Sequence, residues 1–188
     1  ILNGGVAEAS NYEVIFDGPV QLVDLSYPYL QLRARHRNLR VNLFHNRVDS
    51  GDSYFLAFQG FPESPFVDRS RNWGAQVTHD SRFGPDLRLS YGADLKTLNE
   101  RTEGTLNGAN EENDTSTQIG AFVLGSWKVD PKLELLAALR ADYNDRSNRQ
   151  FIGPRLGAVY RPSTSQALRV GFNRTGSVGN VGFQDVSF

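Results

Sequence analysis

The feature that most constrains this chain is an alternation of apolar and polar residues with a period of two, which recurs between Tyr29 and Arg174. It is clearest in Leu133–Tyr143, where Leu, Ala and Tyr occupy every second position and polar residues such as Glu134 and Arg140 lie between them. A period of two places successive side chains on opposite faces of a sheet, whereas an amphipathic helix needs a period of 3.6. The pattern therefore predicts an all-β fold with one apolar face and one polar face.

Eight segments alternate in this way and are predicted as strands. A helix was an alternative for Leu133–Tyr143, because Leu and Ala favour helices, but a turn-like VDPK precedes it and its neighbours all alternate. We expect an antiparallel up-and-down meander, because short turns leave each strand to pair with the next. The segments are Tyr29–His36, Leu39–Asn46, Asn72–Asp80, Leu87–Lys96, Thr117–Lys128, Leu133–Tyr143, Gly153–Arg161 and Ala167–Arg174.

The connections between these segments alternate between short and long. Outer-membrane barrels have tight turns on the periplasmic side and long loops outside, so this asymmetry favours a transmembrane barrel over a soluble sandwich. The short connections are near Arg37-Asn38, Ser81–Asp86, Val129–Lys132 and Pro162–Gln166. The long, polar ones are Arg47–Arg71, Thr97–Ser116 and Asn144–Ile152.

Composition excludes several classes of protein. The chain of 188 residues contains no Cys, so disulfides and thiolate metal sites are excluded. Its net charge of −1 gives no reason to expect nucleic acid as a partner. No apolar run approaches the roughly 18 residues of a membrane-spanning helix, but a membrane strand needs only about ten residues with every second one apolar. Because the chain begins at Ile1 and lacks Met, we expect it to derive from a longer product.

We interpret residues 1–188 as one partial outer-membrane barrel with three parts. Residues 1–28 are predicted as an outer loop region, because Gly4-Gly5 and Asp17-Gly18-Pro19 are loop signals. The strands occupy residues 29–174, and the Gly-rich residues 175–188 are predicted as an irregular tail.

The two faces supply the candidate functional residues. In a closed barrel the polar face lines the lumen, whereas Trp and Tyr at the ends of the apolar face favour the membrane interfaces. We predict Trp127 and Tyr160 near the short turns and Trp73 and Tyr143 near the long loops. The predicted lumen-facing residues are Arg33, Arg35, Arg88, Glu134, Arg140, Asp142, Arg155 and Arg169.

No catalytic, cofactor or metal site is predicted. His36 and His79 lie near short turns and His45 lies toward a long loop, so the three histidines do not converge on a metal. Ser70 and Ser81 flank the strand that carries His79, without the spacing of a hydrolase triad. The oxygen-rich stretches Asn107–Asp114 and Asp49–Asp52 suit calcium in composition, but a solvated loop explains them as well. We therefore expect a protein that is not an enzyme.

Residues Phe151–Thr175 (FIGPRLGAVYRPSTSQALRVGFNRT) resemble a strand signature of TonB-dependent outer-membrane receptors. The preceding strand, with Arg140, Asp142 and Tyr143, is similar to another strand of that family. The specific part covers roughly Lys132–Thr175, and upstream only the strand rhythm agrees. The matching positions are Pro154, Arg155, Leu156, Gly157, Tyr160, Arg161, Pro162, Leu168, Arg169 and Arg174.

The resemblance implies an arc of a larger transmembrane barrel, since the family's barrels have about twenty-two strands. It implies energised uptake of a scarce nutrient such as an iron chelate, cobalamin or a glycan. The implied partners are outer-membrane lipid, a plug domain, the TonB system and a small-molecule or glycan substrate in the bacterial outer membrane. The chain departs from the family in lacking a recognisable plug domain and in reading TGSVGN at residues 175–180.

Two other functions fit the strand pattern. A complete eight-stranded outer-membrane barrel would serve as an anchor or adhesin, and eight strands are enough to close a barrel filled by side chains. A soluble β-sandwich would bind a ligand without a membrane. Backbone pairing between Tyr29–His36 and Ala167–Arg174 distinguishes the small barrel, because only a closed barrel would join these strands.

Overall fold

The computed structural model of this chain describes residues 1–15, 18–57, 60, 62–106 and 115–176. These residues form strands and contain no helix, and so no helix that could cross a membrane. The strands are β1 (Leu2–Ala9), β2 (Tyr12–Ile15), β3 (Gly18–Gln21), β4 (Leu25–His36), β5 (Leu39–Arg47), β6 (Tyr54–Phe55), β7 (Ser64–Pro65), β8 (Arg71–Phe83), β9 (Leu87–Asn99), β10 (Thr115–Asp130), β11 (Leu133–Asn144), β12 (Arg149–Ser163) and β13 (Gln166–Asn173).

Nine of these strands form one antiparallel sheet in the order β1-β4-β5-β8-β9-β10-β11-β12-β13. The predicted all-β meander is confirmed, because each strand of this sheet pairs with the strand of the same sheet that follows it in the chain. The tight turns are also confirmed at one rim, where Asp130 pairs with Leu133 and Tyr160 pairs with Leu168. The connections β1–β4, β5–β8, β9–β10 and β11–β12 leave from the opposite rim, which we call the loop rim.

The structure corrects the prediction that residues 1–28 form an outer loop region. Leu2–Ala9 is a strand that pairs with β4, from Leu2 opposite Leu32 to Ala9 opposite Leu25. The glycines that were interpreted as loop signals have a packing role here. A Cβ on Gly5 would lie 2.9 Å from the Tyr29 ring, so glycine leaves room for that ring on the neighbouring strand.

The predicted long loop Asn144–Ile152 is also wrong. The turn spans only residues 145–148, and β12 begins at Arg149. Asn148 has a φ of 46°, a left-handed conformation that Asn tolerates well, and the Asn144 side chain accepts a hydrogen bond from the Ser147 backbone N–H at 3.0 Å. These two asparagines therefore stabilise a tight turn where a long loop was predicted.

The main sheet is open within the described residues. Its edge strands are β1 and β13, and no backbone ladder joins them in this part of the chain. The predicted edge at Tyr29–His36 is wrong, because β1 pairs with it. The described strands therefore do not form a closed eight-stranded barrel, which removes the structural basis for the small-barrel alternative. Of the predicted tail, residues 177–188 lie outside the described residues.

Among the described residues, three of the four buried apolar side chains lie in the loops, and the fourth, Val159, lies on β12. Strands β2, β3, β6 and β7 form a small second sheet within the β1–β4 and β5–β8 connections. Val20, Leu22 and Phe66 are buried there, packed against Phe55 and against Leu106 of the β9–β10 connection. We call this packed unit the loop layer. It lies at the loop rim and ties three connections together.

Candidate functional site

The register separates the two faces across the whole main sheet. One row of directly opposite residues is apolar, namely Leu43, Ala75, Leu95, Ile119 and Tyr143. The adjacent row on the opposite face is Asn42, Gln76, Asp94, Gly120 and Asp142. Because the period is two and the register is constant across these rows, each face keeps its character from β5 to β11. The one irregularity in these pairings lies between Lys128 and Asp130, beside the β10–β11 turn.

The centre of the polar face holds an ion-paired triad that spans three strands. The Arg140 guanidinium donates to both Asp94 oxygens at 2.9 Å and to both Asp142 oxygens at 2.9 and 2.6 Å. Such paired, charge-assisted contacts fix the plane of the guanidinium. The triad is partly screened from solvent, with an exposed fraction of 40% for the Arg140 side chain and 9% for Asp142.

Gly120 is the residue that allows the triad to form. It lies on β10, between Asp94 on β9 and Asp142 on β11. A Cβ at this position would lie 2.4 Å from an Arg140 nitrogen and 2.8 Å from an oxygen of each carboxylate. The sequence pattern identified Arg140 and Asp142 as candidates but did not identify Gly120, because only the three-dimensional path of the guanidinium reveals its role.

Two further ion pairs lie on the polar face near the short turns. Glu134 accepts a hydrogen bond from the Ser126 hydroxyl at 2.7 Å and one from Arg161 at 3.3 Å. Arg40 pairs with Asp80 at 2.9 Å. The polar face is therefore partly neutralised by its own carboxylates.

The remaining predicted lumen-facing arginines lie on the same face without a carboxylate partner among the described residues. Arg35 is directly opposite Arg40, and Arg88 is directly opposite Arg82. Like charges facing each other across strands are unfavourable unless a counter-charge approaches. The predicted lumen-facing arginines that have no ion pair in the described part of the chain are Arg33, Arg35, Arg88, Arg155 and Arg169.

The four predicted interface aromatics lie on the apolar face at the two rims. Trp127 is opposite Leu135 near a short turn, and Tyr143 follows Leu135 by eight residues toward the loop rim. That separation is roughly 27 Å along the strand, which a strand tilt of about 40° reduces to roughly 20 Å across a membrane, near the apolar band of about 25 Å. Tyr160 lies near the short turns and Trp73 near the loop rim. Their contact with a membrane interface stays a prediction.

Two of the three histidines lie beside aromatic rings on the apolar face. His45 stacks on Trp73 with ring centroids 3.8 Å apart, and His79 lies 5.3 Å from the Tyr91 ring. The described residues contain no group of three or more His, Cys, Asp or Glu side chains that could hold a metal ion. The calcium candidate Asn107–Asp114 lies outside the described residues.

The loop layer brings the β5–β8 and β9–β10 connections side by side. Thr105 Oγ1 accepts a hydrogen bond from the Val67 backbone N–H at 3.0 Å and lies 3.1 Å from the Val67 carbonyl. The Arg69 N–H donates to the Arg101 carbonyl at 2.8 Å. The β5–β8 and β9–β10 connections, which are far apart in the sequence, therefore form one surface at the loop rim.

The sheet has one exposed apolar face and one charged face, tight turns at one rim, and three long connections and one tight turn at the other. These features are typical of an outer-membrane β-barrel protein. A family model described as TonB dependent receptor-like, beta-barrel, matches residues 8–185. The chain belongs to this family. Its location is the bacterial outer membrane.

One solved structure with a similar arrangement is OmpTdeltaL8, a loop L8 deletion mutant of OmpT, described as an outer membrane protein of Vibrio cholerae. The match has 16% sequence identity and a TM-score of 0.44, and covers 92% of this chain. The chain spans 56% of the length of that structure. No curated protein matches this chain.

Proposed function

We propose that this chain forms part of the wall of a TonB-dependent receptor that imports a scarce nutrient across the outer membrane. The observation that carries the proposal is the two-faced sheet, whose polar face combines a fixed central triad with arginines that lack carboxylate partners. Membership of the receptor family supports a transport role. We propose transport and not catalysis, and the substrate class is an iron chelate, cobalamin or a glycan.

We propose that the polar face receives a plug domain. Arg33, Arg88 and Arg169 have no ion pair among the described residues, so acidic groups of a plug would find ready partners there. The Arg140 triad would instead serve as a rigid part of the wall, since its charges are already paired. This division explains why one face carries both paired and unpaired arginines.

We propose that substrate binds over the loop layer at the outer rim. The buried contacts of Phe66 with Phe55, and of Thr105 with Val67, hold the connections in one arrangement. A surface fixed in this way loses little conformational entropy when a ligand binds. The TonB system would supply energy through the plug from the inner membrane.

Uptake measurements test this proposal. Cells that make the protein are supplied with a labelled iron chelate, cobalamin or glycan, with and without a functional TonB system. We expect accumulation of one class that requires both the protein and TonB. Uptake that continues at the same rate without TonB would refute the energised mechanism, and a lack of uptake with all three classes would refute the substrate assignment.

A further inference from the structure

The apolar face carries a groove close to the loop rim. It has a volume of about 380 Å³ and a lining that is almost wholly apolar. Ala75 forms its floor between Leu43 and Leu95, which are its direct partners on the two neighbouring strands. Leu30 and Trp73 border it toward the loop rim. Its shape and chemistry suit a hydrocarbon chain.

A row of cationic and polar side chains follows directly beyond this groove. Arg47 lies opposite Arg71, and Arg71 lies opposite Asn99, one row past the His45–Trp73 stack. On each strand these residues lie two positions beyond a residue that lines the groove, so their side chains are on the same, apolar face. We call them the rim row.

The rim row has more positive charge than its neighbours neutralise. Arg47 pairs with Asp49 at 2.9 Å, with 41% of its side chain exposed. Arg71 is exposed and has no ion pair or side-chain hydrogen bond within the described residues. Two arginines directly opposite each other repel, and an anion placed between them would remove that cost.

Arg101 adds a third cation beside the rim row. Its Nε donates to Asn99 Oδ1 at 3.1 Å, and Asn99 in turn donates to the Thr115 hydroxyl at 2.8 Å. The amide of Asn99 thus holds the Arg101 side chain near the same face. The cationic cluster therefore extends from β5 to just beyond the end of β9 at the loop rim. This is the region that would meet lipid headgroups in an assembled barrel.

We propose that the rim row and the groove together bind a phosphate-bearing lipid of the surrounding leaflet. The phosphate lies between Arg47 and Arg71, and one acyl chain enters the groove beside Trp73. The continuity of an apolar groove with unneutralised arginines on one face favours an amphiphilic anion over a free anion. A guanidinium binds phosphate oxygens with paired hydrogen bonds, which suits this headgroup. The proposal rests on the barrel fold and not on the transport function.

The test uses the intact protein purified in a mild detergent, with binding measured by native mass spectrometry. The probes are a diphosphorylated glucosamine lipid, the same lipid without phosphates, and inorganic phosphate. We expect the diphosphorylated lipid alone to be retained, and Arg71→Gln to weaken its binding about tenfold. Arg82→Gln is the matched control, because Arg82 lies on the opposite, polar face and its substitution removes the same charge, so lipid binding should stay unchanged.

A second variant tests the groove independently of the charge. Ala75→Leu fills the floor between Leu43 and Leu95 on a face that tolerates apolar residues, so folding is preserved. We expect weaker lipid binding. Equal lipid binding by the wild type and Arg71→Gln would overturn the headgroup site. Retention of inorganic phosphate as tightly as the lipid, unchanged by Ala75→Leu, would show a free-phosphate site and overturn the lipid assignment.

Discussion

At the scale of single residues, the triad on the polar face depends on an absent side chain. Arg140 reaches Asp94 by crossing β10 at Gly120, where a Cβ would lie 2.4 Å from the guanidinium. The nearest atoms to that point are an Arg140 nitrogen and one oxygen of each carboxylate, so a Cβ there would displace the side chains that form the triad. A strand glycine usually weakens a sheet, and here it permits contacts that link three strands.

We therefore expect Gly120→Ala to break the contact between Arg140 and Asp94 and to lower the free energy of unfolding by about 1–2 kcal/mol. The reason is that Asp94 would keep its charge beside the sheet without its partner. Thermal unfolding of the purified protein, followed by heat-dependent migration in gels, measures the effect.

Gly157→Ala is the matched control for this substitution. Gly157 lies on the same face in an interior strand, and a Cβ there would lie 3.5 Å from Leu136, an ordinary contact. Its unfolding temperature should stay close to that of the wild type. Equal losses in both variants would show that strand glycines matter generally here and that the triad has no special role.

At the scale of elements, we expect an arginine to have a different cost in stability on each of the two faces of β10. Val123 and Leu124 are adjacent, with exposed fractions of 41% and 42%, and they point to opposite faces. We predict that in the intact barrel Val123 faces lipid and Leu124 faces the lumen. Val123→Arg should cost about 2–4 kcal/mol near the middle of the bilayer, whereas Leu124→Arg should cost much less.

Reversible urea unfolding in lipid vesicles compares these two variants directly. Their similar exposure removes surface area as an explanation, so a difference reports the environment of each face. If both arginines cost the same, the apolar face does not contact lipid in the assembled protein.

A second prediction at this scale concerns the hydrogen bond that joins two connections in the loop layer. Thr105→Val keeps the shape of the side chain and removes the hydroxyl that joins the β9–β10 connection to Val67. We expect faster hydrogen exchange of the Val67 amide, by about tenfold for a loss of about 1.4 kcal/mol. Thr117→Val, on β10 beyond the loops, is the control and should leave that amide unchanged. Unaltered exchange in Thr105→Val would show that Phe66 packing alone holds the connection.

Most of the strands, but not all of the turns, could be predicted from the sequence. All eight predicted strands exist, because alternating apolar and polar residues indicate a strand whose two faces meet different environments. The register keeps the apolar residues Leu43, Ala75 and Ile119 in one row. Strand β1 was missed because Gly4 and Gly5 interrupt its alternation. The turn at residues 145–148 was missed because polar composition alone does not distinguish a tight turn from a long loop.

The candidate site was predictable only in part, for a related reason. Period-two patterning places Arg140 and Asp142 on one face, but it does not show which charges meet across strands. Asp94 joins them only through the register of β9, β10 and β11. The loop layer was beyond sequence reasoning, because Val20, Phe66 and Leu106 come from three connections without any periodic pattern.

At the scale of the whole molecule, the open sheet presents two edges. Within the described residues β1 and β13 each pair on one side only, and the apolar face leaves Leu168, Val170 and Phe172 of β13 at least 58% exposed. Unpaired edges are templates for adding further strands, and a barrel removes them by closing. The edges of this sheet would therefore join other strands in an assembled barrel.

We accordingly expect residues 1–188 produced alone in detergent to self-associate through these edges and to give no compact, heat-modifiable monomer. Each unpaired strand exposes a row of backbone groups, which a second copy can satisfy. Analytical ultracentrifugation combined with gel migration before and after heating measures the outcome, and a closed outer-membrane barrel of similar mass is the control. A monomer that resists detergent denaturation until heated would show instead that β1 and β13 close on each other, and the chain would then be a small barrel without the capacity to hold a plug.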